Sequence, residues 1–417
     1  MTDASATPAP LTAYLRKLLV FLCLVVFFDG YDLFAISQTL PELRAAFGLT
    51  PAAGSRLLAV ANLGTVAAYL LIRLADRWGR RPLLLICLTG YSGASLGSAV
   101  APEKWSFLLG QLAVRFFLVS ALAMAVLYAV EEYPAERRGR IVGLIQACYG
   151  VGAVVCAAVT PRLLQTSLGF RAVYLLGATS VCLLLFACRG LRETGRFRSL
   201  VAARKPAAST PPFWPRLPQP PYRRRMLQLA VIWVATFLCN QSATVFWKEY
   251  AQAERGLSPQ RIGTWVAIAA VVALPLTVLL GRLIDRIGRR RGAAVVYLGT
   301  ACGVLGSYAP LSEGLLLVSL ILLIAGATAA VALLNAWTAE SFPTDLRGDS
   351  FAWANSLLGR LGFVLSPLFV AELVPILGWG RTLSLTAGFP LLSLGLIWLW
   401  LQETARKELE ESQRLPG

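Results

Sequence analysis

The chain contains no histidine among its 417 residues. Histidine is the most common general base and metal ligand near neutral pH, and the usual pH-dependent switch, so its absence removes all three. It also excludes a Ser-His-Asp triad, and the sequence has no phosphate-binding P-loop motif. We therefore expect no enzyme, no cofactor and no metal site, and any proton relay must use carboxylates.

Charge is also scarce. Only 15% of the residues are charged and 57% are hydrophobic, whereas a soluble chain carries about 25% charge. Apolar segments of about 20 residues recur, and each is long enough to cross ~30 Å of hydrocarbon as a helix. We predict twelve spans, at roughly 16–37, 55–74, 82–101, 106–130, 140–161, 170–188, 226–246, 262–284, 292–310, 314–337, 350–373 and 381–401.

The eight cysteines all lie in apolar segments and form no C-x-x-C pair, so neither a disulfide framework nor a zinc site is predicted. The net charge of +17 comes from Lys and Arg that fall mainly in alternate loops. This is the positive-inside bias of multi-pass proteins. It predicts a cell (inner or plasma) membrane protein with both termini cytoplasmic, a lipid bilayer as partner and no nucleic-acid partner.

The two halves of the chain repeat three charged signatures in register. Each half has a D-R-x-G-R-R loop, a Glu…Pro…Arg-Gly stretch and an E-T-x-R segment, at residues 76–81, 131–139 and 193–196, then 285–290, 340–348 and 403–406 (with Ala405 at x). Such duplication is common in transporters. It predicts an all-α membrane protein with two pseudo-symmetric six-helix bundles, 1–189 and 226–417. A Pro/Arg-rich cytoplasmic linker at 190–225 joins them, and a short tail ends the chain.

The D-R-x-G-R-R loops resemble those of the major facilitator superfamily, and the other two signatures resemble its sugar-porter-type branch. Within that branch, residues 28–33 followed by 41–43 are similar to the D-G-x-D motif of the aromatic acid:proton symporters. The resemblance implies proton-coupled uptake. It also implies that the two carboxylates of the first span, Asp29 and Asp32, and the arginine of the fourth, Arg115, take part.

Asp29 and Asp32 are three residues apart and so share one helix face. A carboxylate in a span costs about 2.5–3.5 kcal/mol on insertion scales, so such residues usually face a cavity or a partner. We expect this pair to bind and release protons, with Asp29 the deeper of the two. The alternative is that Asp32 meets external water or caps a helix broken near Gly30.

Two arginines lie deep in spans. Arg115 either pairs with the aspartates or receives an anionic substrate, and protonation of an aspartate would link these roles by freeing the arginine. Arg360 has the same two alternatives, structural pairing or binding. The other substrate-binding candidates are polar or aromatic side chains, for which helix packing is the alternative: Tyr31, Asn240, Gln241, Asn335 and Trp337. In the repeat, Gln241 of the second half corresponds to Asp32 of the first.

The duplicated charges at the cytoplasmic helix ends are the gating candidates, since paired acids are not needed for topology. An acid there can meet the positive end of a neighbouring helix. The candidates are Asp76, Arg77, Arg80, Arg81, Glu131, Arg138, Asp285, Arg286, Arg289, Arg290, Glu340 and Arg347.

The sequence therefore predicts a secondary active transporter that works by alternating access. Its partners are a small-molecule substrate, an organic or aromatic acid, and protons, and it acts as a monomer. The alternatives are a proton-coupled exporter of a drug-like or secreted metabolite, a sugar or polyol carrier, and a membrane receptor without turnover.

Overall fold

All regular structure in the described residues, 12–203 and 222–403 of a computed structural model, is helical. The first half contains α1 (Ala13–Phe47), α2 (Pro51–Trp78), α3 (Arg80–Val100), α4 (Lys104–Glu132), α5 (Ala135–Leu163), α6 (Phe170–Ala178), α7 (Cys182–Gly190) and α8 (Gly195–Ala203). A 3₁₀ turn at Thr179–Val181 joins α6 to α7, and these two helices form the sixth span.

The second half repeats this order. It contains α9 (Tyr222–Val245), α10 (Trp247–Ala253), α11 (Pro259–Ile287), α12 (Arg289–Ser307), α13 (Glu313–Glu340), α14 (Thr344–Phe351), α15 (Leu361–Leu385) and α16 (Gly388–Trp400). A π-helical segment, Ala352–Gly359, connects α14 to α15. The break between the eleventh and twelfth spans is at Gly378, where φ is 78° and the backbone leaves the helix.

Ten helices in the described part of the chain are long and apolar enough to cross a membrane. The remaining two spans are α12 and the segment that runs from Gly378 through the shorter apolar helix α16. The predicted twelve-helix, all-α fold is confirmed.

The same local signals begin and end equivalent helices in both halves. Thr50 accepts a hydrogen bond from the first turn of α2, and Ser258 does so for α11. In each case proline follows at the first helical position, where its missing N–H costs nothing. The two helices end at Gly79 and Gly288, with φ of 98° and 96°, values that side-chain-bearing residues avoid. Each D-R-x-G-R-R loop is therefore a sharp junction between two spans.

The predicted linker at 190–225 is only partly described. Its start includes α8, which ends before the first proline of the linker, and its last residues already belong to α9. The seven linker prolines, Pro206 to Pro221, lie outside the described residues.

The apolar core differs between the two ends of the molecule. We call the end that carries Gly79 and Gly288 the signature face and the other end the opposite face. In the half towards the opposite face, one apolar cluster contains residues of both bundles, such as Leu40 and Trp247. In the half towards the signature face, each bundle has its own cluster. The bundles therefore pack together at the opposite face and part towards the signature face.

Helices α1 and α5 cross at very short range because each has a glycine at the contact. A Cβ added to Gly30 would lie 1.9 Å from the carbonyl oxygen of Tyr149, and one added to Gly152 would lie 2.0 Å from that of Phe27. Any side chain at these positions would force the backbones apart. The crossing fixes the part of α1 that carries both aspartates.

We predict that Gly152→Ala lowers stability by about 1–3 kcal/mol, as overpacking does. The control is Gly143→Ala in the same helix, where an added Cβ meets nothing within 4 Å and the gain in helix propensity is the same. Thermal unfolding of the detergent-solubilised protein measures both. Equal stability of the two variants would contradict the close crossing.

Candidate functional site

The two aspartates of α1 lie in the interior of the protein. Asp29 and Asp32 are 7% and 4% exposed, and they face the same way because they are one helical turn apart. They are held there by the glycine-mediated crossing of α1 and α5. The structure thus places both proton-coupling candidates away from bulk water.

Two arginines approach this region from different bundles. Arg115 of α4 is 4% exposed, and Arg360 stands where the π-helical segment meets α15. The N–H of Arg360 donates to the carbonyl of Asn355 at 3.0 Å, which closes the wide π turn. Such turns are rare and often occur at functional sites. Here the turn sets the position of the half-buried Arg360.

Each aspartate has a different arginine as its main electrostatic partner. The strongest attraction on Asp29 comes from Arg360, across the bundle interface, with a smaller one from Arg115. The attraction on Asp32 comes from Arg115 of its own bundle. None of the four belongs to an ion pair found in the described part of the chain. The expected pairing of Arg115 with an aspartate is therefore not a direct contact in this structure.

Two of these four charged side chains have a polar atom without a hydrogen-bond partner. Oδ1 of Asp32 and Nε of Arg115 are buried without a hydrogen-bond partner. Buried polar groups are usually satisfied, so each exception calls for an explanation such as a water or ligand. The four charged side chains are therefore the candidate site for a proton and an anion.

Tyr149 of α5 belongs to this site, although the sequence analysis did not select it. Its hydroxyl interacts electrostatically with Asp29, Arg115 and Arg360, and its carbonyl forms the contact with Gly30. Aromatic residues are frequent in membrane spans, so nothing in the sequence distinguished this tyrosine from a packing residue.

The remaining substrate-binding candidates differ in their surroundings. The hydroxyl of Tyr31 donates to Val173 O at 3.0 Å, and Asn240 donates to Ala327 O at 3.1 Å. Gln241 is buried with no partner for Nε2. Trp337 lies in the core of the second bundle, with Nε1 donating to Gln402 O at 3.2 Å. Asn335 is exposed. Of these, Gln241 has unused hydrogen-bonding capacity.

At the signature face, the charges of the first bundle form one network. Arg80 pairs with Glu131 at 3.1 Å, and Thr194 donates to the same carboxylate at 2.6 Å. Glu193 accepts from the backbone N–H groups of Arg80 and Arg81, both at 3.1 Å. These N–H groups form the positive end of α3, where a carboxylate is stabilising.

The second bundle repeats this arrangement. Arg289 pairs with Glu340 at 2.9 Å and with Asp285 at 2.7 Å. Glu403 accepts from the backbone N–H groups of Arg289 and Arg290 at 2.8 and 2.9 Å. The acid that meets a helix N-terminus is therefore the Glu of E-T-x-R in both halves, whereas Asp285 binds an arginine side chain. Neither Glu193 nor Glu403 was among the gating candidates.

The other gating candidates contact backbone or lie at helix ends. Arg81 donates to Cys188 O at 3.2 Å, Arg138 donates to Tyr133 O at 3.3 Å, and Arg290 donates to Trp398 O. Arg347 has two buried nitrogens without a partner. Arg77 and Arg286 occupy the last turns of α2 and α11, and the side chain of Asp76 lies outside the described residues. The contacts described for these networks stay within one bundle.

The opposite face has ion pairs that join the two bundles, and we call them the cross-bundle pairs. Arg44 forms a bidentate pair with Glu249, with both hydrogen bonds at 2.7 Å. Lys248 contacts both oxygens of Glu42, at 2.8 and 2.9 Å, and also the carbonyl of Gln38. A third, exposed pair joins α2 to α15 at 2.8 Å. The sequence analysis did not predict these pairs.

Burial makes the first two cross-bundle pairs important. Lys248 and Glu249 are only 2% and 1% exposed. Removing one partner of a buried pair typically costs 3–5 kcal/mol, because the other charge remains buried and uncompensated. If the opposite face opens, both partners reach water. Loss of one partner would therefore destabilise the arrangement in which the opposite face is closed, because the remaining charge is buried there and hydrated in the open arrangement.

We predict that Glu249→Gln favours separation of the bundles at the opposite face. Loss of even 1.4 kcal/mol from the closed arrangement changes the equilibrium about tenfold. Spin labels at Lys104 and Gln260, two exposed positions on different bundles, measure the separation by double electron–electron resonance after the native cysteines are replaced. The fraction of long distances should rise at least severalfold.

The matched control is Glu313→Gln. It removes an exposed carboxylate that pairs with Arg261 at 2.9 Å on the same face but within one bundle. Exposed pairs contribute little, so its distance distribution should stay that of the unchanged protein. A Glu249→Gln distribution indistinguishable from this control would show that the buried pair does not hold the face closed.

Known proteins resemble this chain along nearly its whole length. The gallate transporter of Pseudomonas putida is 26% identical over 417 aligned residues, covering 92% of this chain and 89% of that protein. A Bacillus subtilis (strain 168) protein, provisionally assigned as a niacin/nicotinamide transporter, is 26% identical, covering 95% and 98%. The inward-open structure of the Escherichia coli xylose transporter XylE superimposes with a TM-score of 0.76 at 20% identity, covering 96% and 99%.

The family model for the Major Facilitator Superfamily matches residues 22–248 and 229–416, one match in each half. These two matches reproduce the duplication seen in the signatures and in the helix order. The chain belongs to the major facilitator superfamily.

Proposed function

We propose that this protein carries an organic or aromatic acid into the cell together with protons, by alternating access. The observation that carries the proposal is a group of four charged side chains in the interior. Asp29, Asp32 and Arg115 are buried and Arg360 is half-buried, and none of them forms a direct ion pair. A charge inside a membrane-spanning segment is costly, and such residues usually have a function. The relatives named for gallate and niacin transport support an aromatic carboxylate as substrate.

The aspartates carry the protons in this proposal. A protonated carboxyl is neutral and therefore easier to bury than a carboxylate, whereas arginine stays charged. Asp29 is the better candidate for the coupling step because the arginine that acts on it most strongly, Arg360, belongs to the other bundle. Protonation neutralises Asp29, so that Arg360 is free to bind a substrate carboxylate.

The arginines bind the substrate in this proposal. A guanidinium matches a carboxylate geometrically and can form two parallel hydrogen bonds with it. Arg115 and Arg360 come from different bundles, so an anion between them would contact both. Tyr149 adds a hydroxyl group near both arginines. A substrate bound by both arginines would therefore link the two bundles.

Alternating access requires two faces that close in turn. The apolar cluster and the cross-bundle pairs close the opposite face, and the separate cores of the two bundles leave the signature face parted. With the positive-inside bias, the signature face is cytoplasmic and the structure corresponds to an inward-open state. The likeness to inward-open XylE supports this interpretation. We propose that the protein acts as a monomer in the cell (inner or plasma) membrane, with both termini cytoplasmic.

We predict that Asp29→Asn abolishes uphill accumulation of gallate or niacin but retains exchange. The variant cannot bind a proton at this position, so a pH gradient supplies no driving force, although the neutral amide mimics the protonated state. Proteoliposomes with an acid exterior measure accumulation, and preloaded vesicles without a gradient measure exchange. The control Glu313→Gln removes an exposed carboxylate and should accumulate normally. Full accumulation by Asp29→Asn would refute the proposal.

We predict that Arg360→Gln weakens substrate binding by about tenfold to a hundredfold. A hydrogen bond to a charged group contributes about 1.5–3 kcal/mol, and each 1.4 kcal/mol is a factor of ten in affinity. Isothermal titration of the purified protein with gallate or niacin measures the dissociation constant. Arg381→Gln is the control, because Arg381 is an exposed arginine beyond the break at Gly378. Unchanged affinity in Arg360→Gln would assign Arg360 a structural role.

A further inference from the structure

Three side-chain oxygen atoms from two helices converge on one glycine of a third. A methyl group added to Gly177 of α6 would lie 2.9 Å from Ser95 Oγ, 3.2 Å from Tyr91 Oη and 3.4 Å from Asp32 Oδ1. Because Gly177 has no side chain, the aspartate of α1 and the two hydroxyls of α3 can approach the same point. This space lies on the side of Asp32 that faces α3 and α6.

Two of these three oxygens have no hydrogen-bond partner. Asp32 Oδ1 and Tyr91 Oη are both buried and unsatisfied, and the residues are 4% and 1% exposed. Leaving one such group unpaired costs about 1–3 kcal/mol. The two are complementary, because a phenol hydroxyl donates and a carboxylate oxygen accepts. A small movement or one water molecule would pair them.

Apart from Arg115, whose Nε is also without a partner, the other donor groups near Asp32 are already engaged. Those that face it are Arg115 of α4, Tyr91 of α3, Tyr174 of α6, Cys156 of α5, and Asp29 and Tyr31 of α1. The hydroxyl of Tyr31 donates to Val173 O, and that of Tyr174 is paired with Thr39 Oγ1 at 2.9 Å. Cys156 Sγ lies 3.6 Å from Thr160 Oγ1. Tyr91 has the one hydroxyl among them that is still available.

We propose that Tyr91 is a positioning residue for the proton on Asp32: its hydroxyl donates to Oδ1 of the ionised carboxylate, directly or through one water, in the space that Gly177 leaves. Ser95 completes the arrangement. Its hydroxyl hydrogen is used on Tyr174 O at 2.9 Å, so its oxygen can only accept. Tyr91 therefore donates a hydrogen bond to the ionised form of Asp32, and Ser95 accepts one from the protonated form. The inference rests on the proposed role of Asp32 in proton binding.

The direct test is the infrared signal of the Asp32 carboxyl in the purified, reconstituted protein. Difference spectra between acid and alkaline pH contain the C=O stretch of protonated carboxyl groups, and Asp32→Asn identifies the band of Asp32. In Tyr91→Phe, the ionised form loses a donor, so the carboxyl should protonate at higher pH. We expect the pH midpoint of the band to rise by about one unit.

The matched control is Tyr297→Phe. Tyr297 is also 1% exposed, and it lies in α12 of the second bundle, where its hydroxyl pairs with Thr236. This variant should leave the Asp32 band unchanged. An unchanged midpoint and band position in Tyr91→Phe would overturn the inference, whatever the transport activity.

Gly177→Ala provides a second variant that keeps the Tyr91 hydroxyl. Its methyl group would occupy the space between the three oxygens, so the midpoint should move in the same direction. Gly93→Ala in α3 is the control, since a Cβ there meets nothing within 4 Å. An unchanged midpoint in Gly177→Ala would reject the role given to this space.

Uptake assays on the same variants separate this inference from the proposed function. If uptake by the unchanged protein is insensitive to external pH while Tyr91→Phe still moves the band, proton coupling is rejected and the Tyr91–Asp32 contact stands. If uptake is proton-coupled, its acid dependence should shift to higher pH in Tyr91→Phe by the same amount as the band.

Discussion

The structure depends on ionisable side chains that lie in the low-dielectric interior of the protein, where charge is unfavourable. Four ionisable side chains, two acidic and two basic, lie in the interior, three of them buried and Arg360 half-buried, close enough to interact but without direct ion pairs. A direct pair would satisfy the charges and leave little to gain from a ligand. Charges that interact only at a distance keep part of their desolvation cost, and a bound proton or anion can reduce that cost. The tight crossing of α1 and α5 fixes the backbone that carries both aspartates.

The two ends of the molecule use charge differently. At the signature face, Glu193 and Glu403 accept hydrogen bonds from the backbone N-termini of α3 and α12. The contacts described for these networks lie within one bundle. At the opposite face, the cross-bundle pairs link the bundles directly. This difference, together with the apolar cluster shared at the opposite face, explains why the bundles part at one end.

The sequence predicted the elements that depend on local pattern. Apolar length predicted the twelve spans, and the repeated D-R-x-G-R-R signature predicted the loops after α2 and α11. It did not predict the cross-bundle pairs, because the repeat relates equivalent positions in the two halves and says nothing about which residues touch. Lys248 and Glu249 also lay just beyond the predicted seventh span, so they were not considered as buried residues. Tyr91 was missed because its importance comes from the empty space at Gly177, which only the packing of α3 against α6 creates.

The division of the four charges between bundles assigns different tasks to the two aspartates. Asp32 interacts with Arg115 of its own bundle, so rocking of the bundles leaves that distance unchanged. Asp29 interacts most strongly with Arg360 of the other bundle, so the same rocking changes its interaction directly. In the proposed mechanism, proton binding at Asp29 is therefore coupled to movement, and proton binding at Asp32 is set by fixed neighbours. A monoanion carried with one proton moves no net charge, whereas loading both aspartates moves one positive charge, to which 100 mV adds about 2.3 kcal/mol.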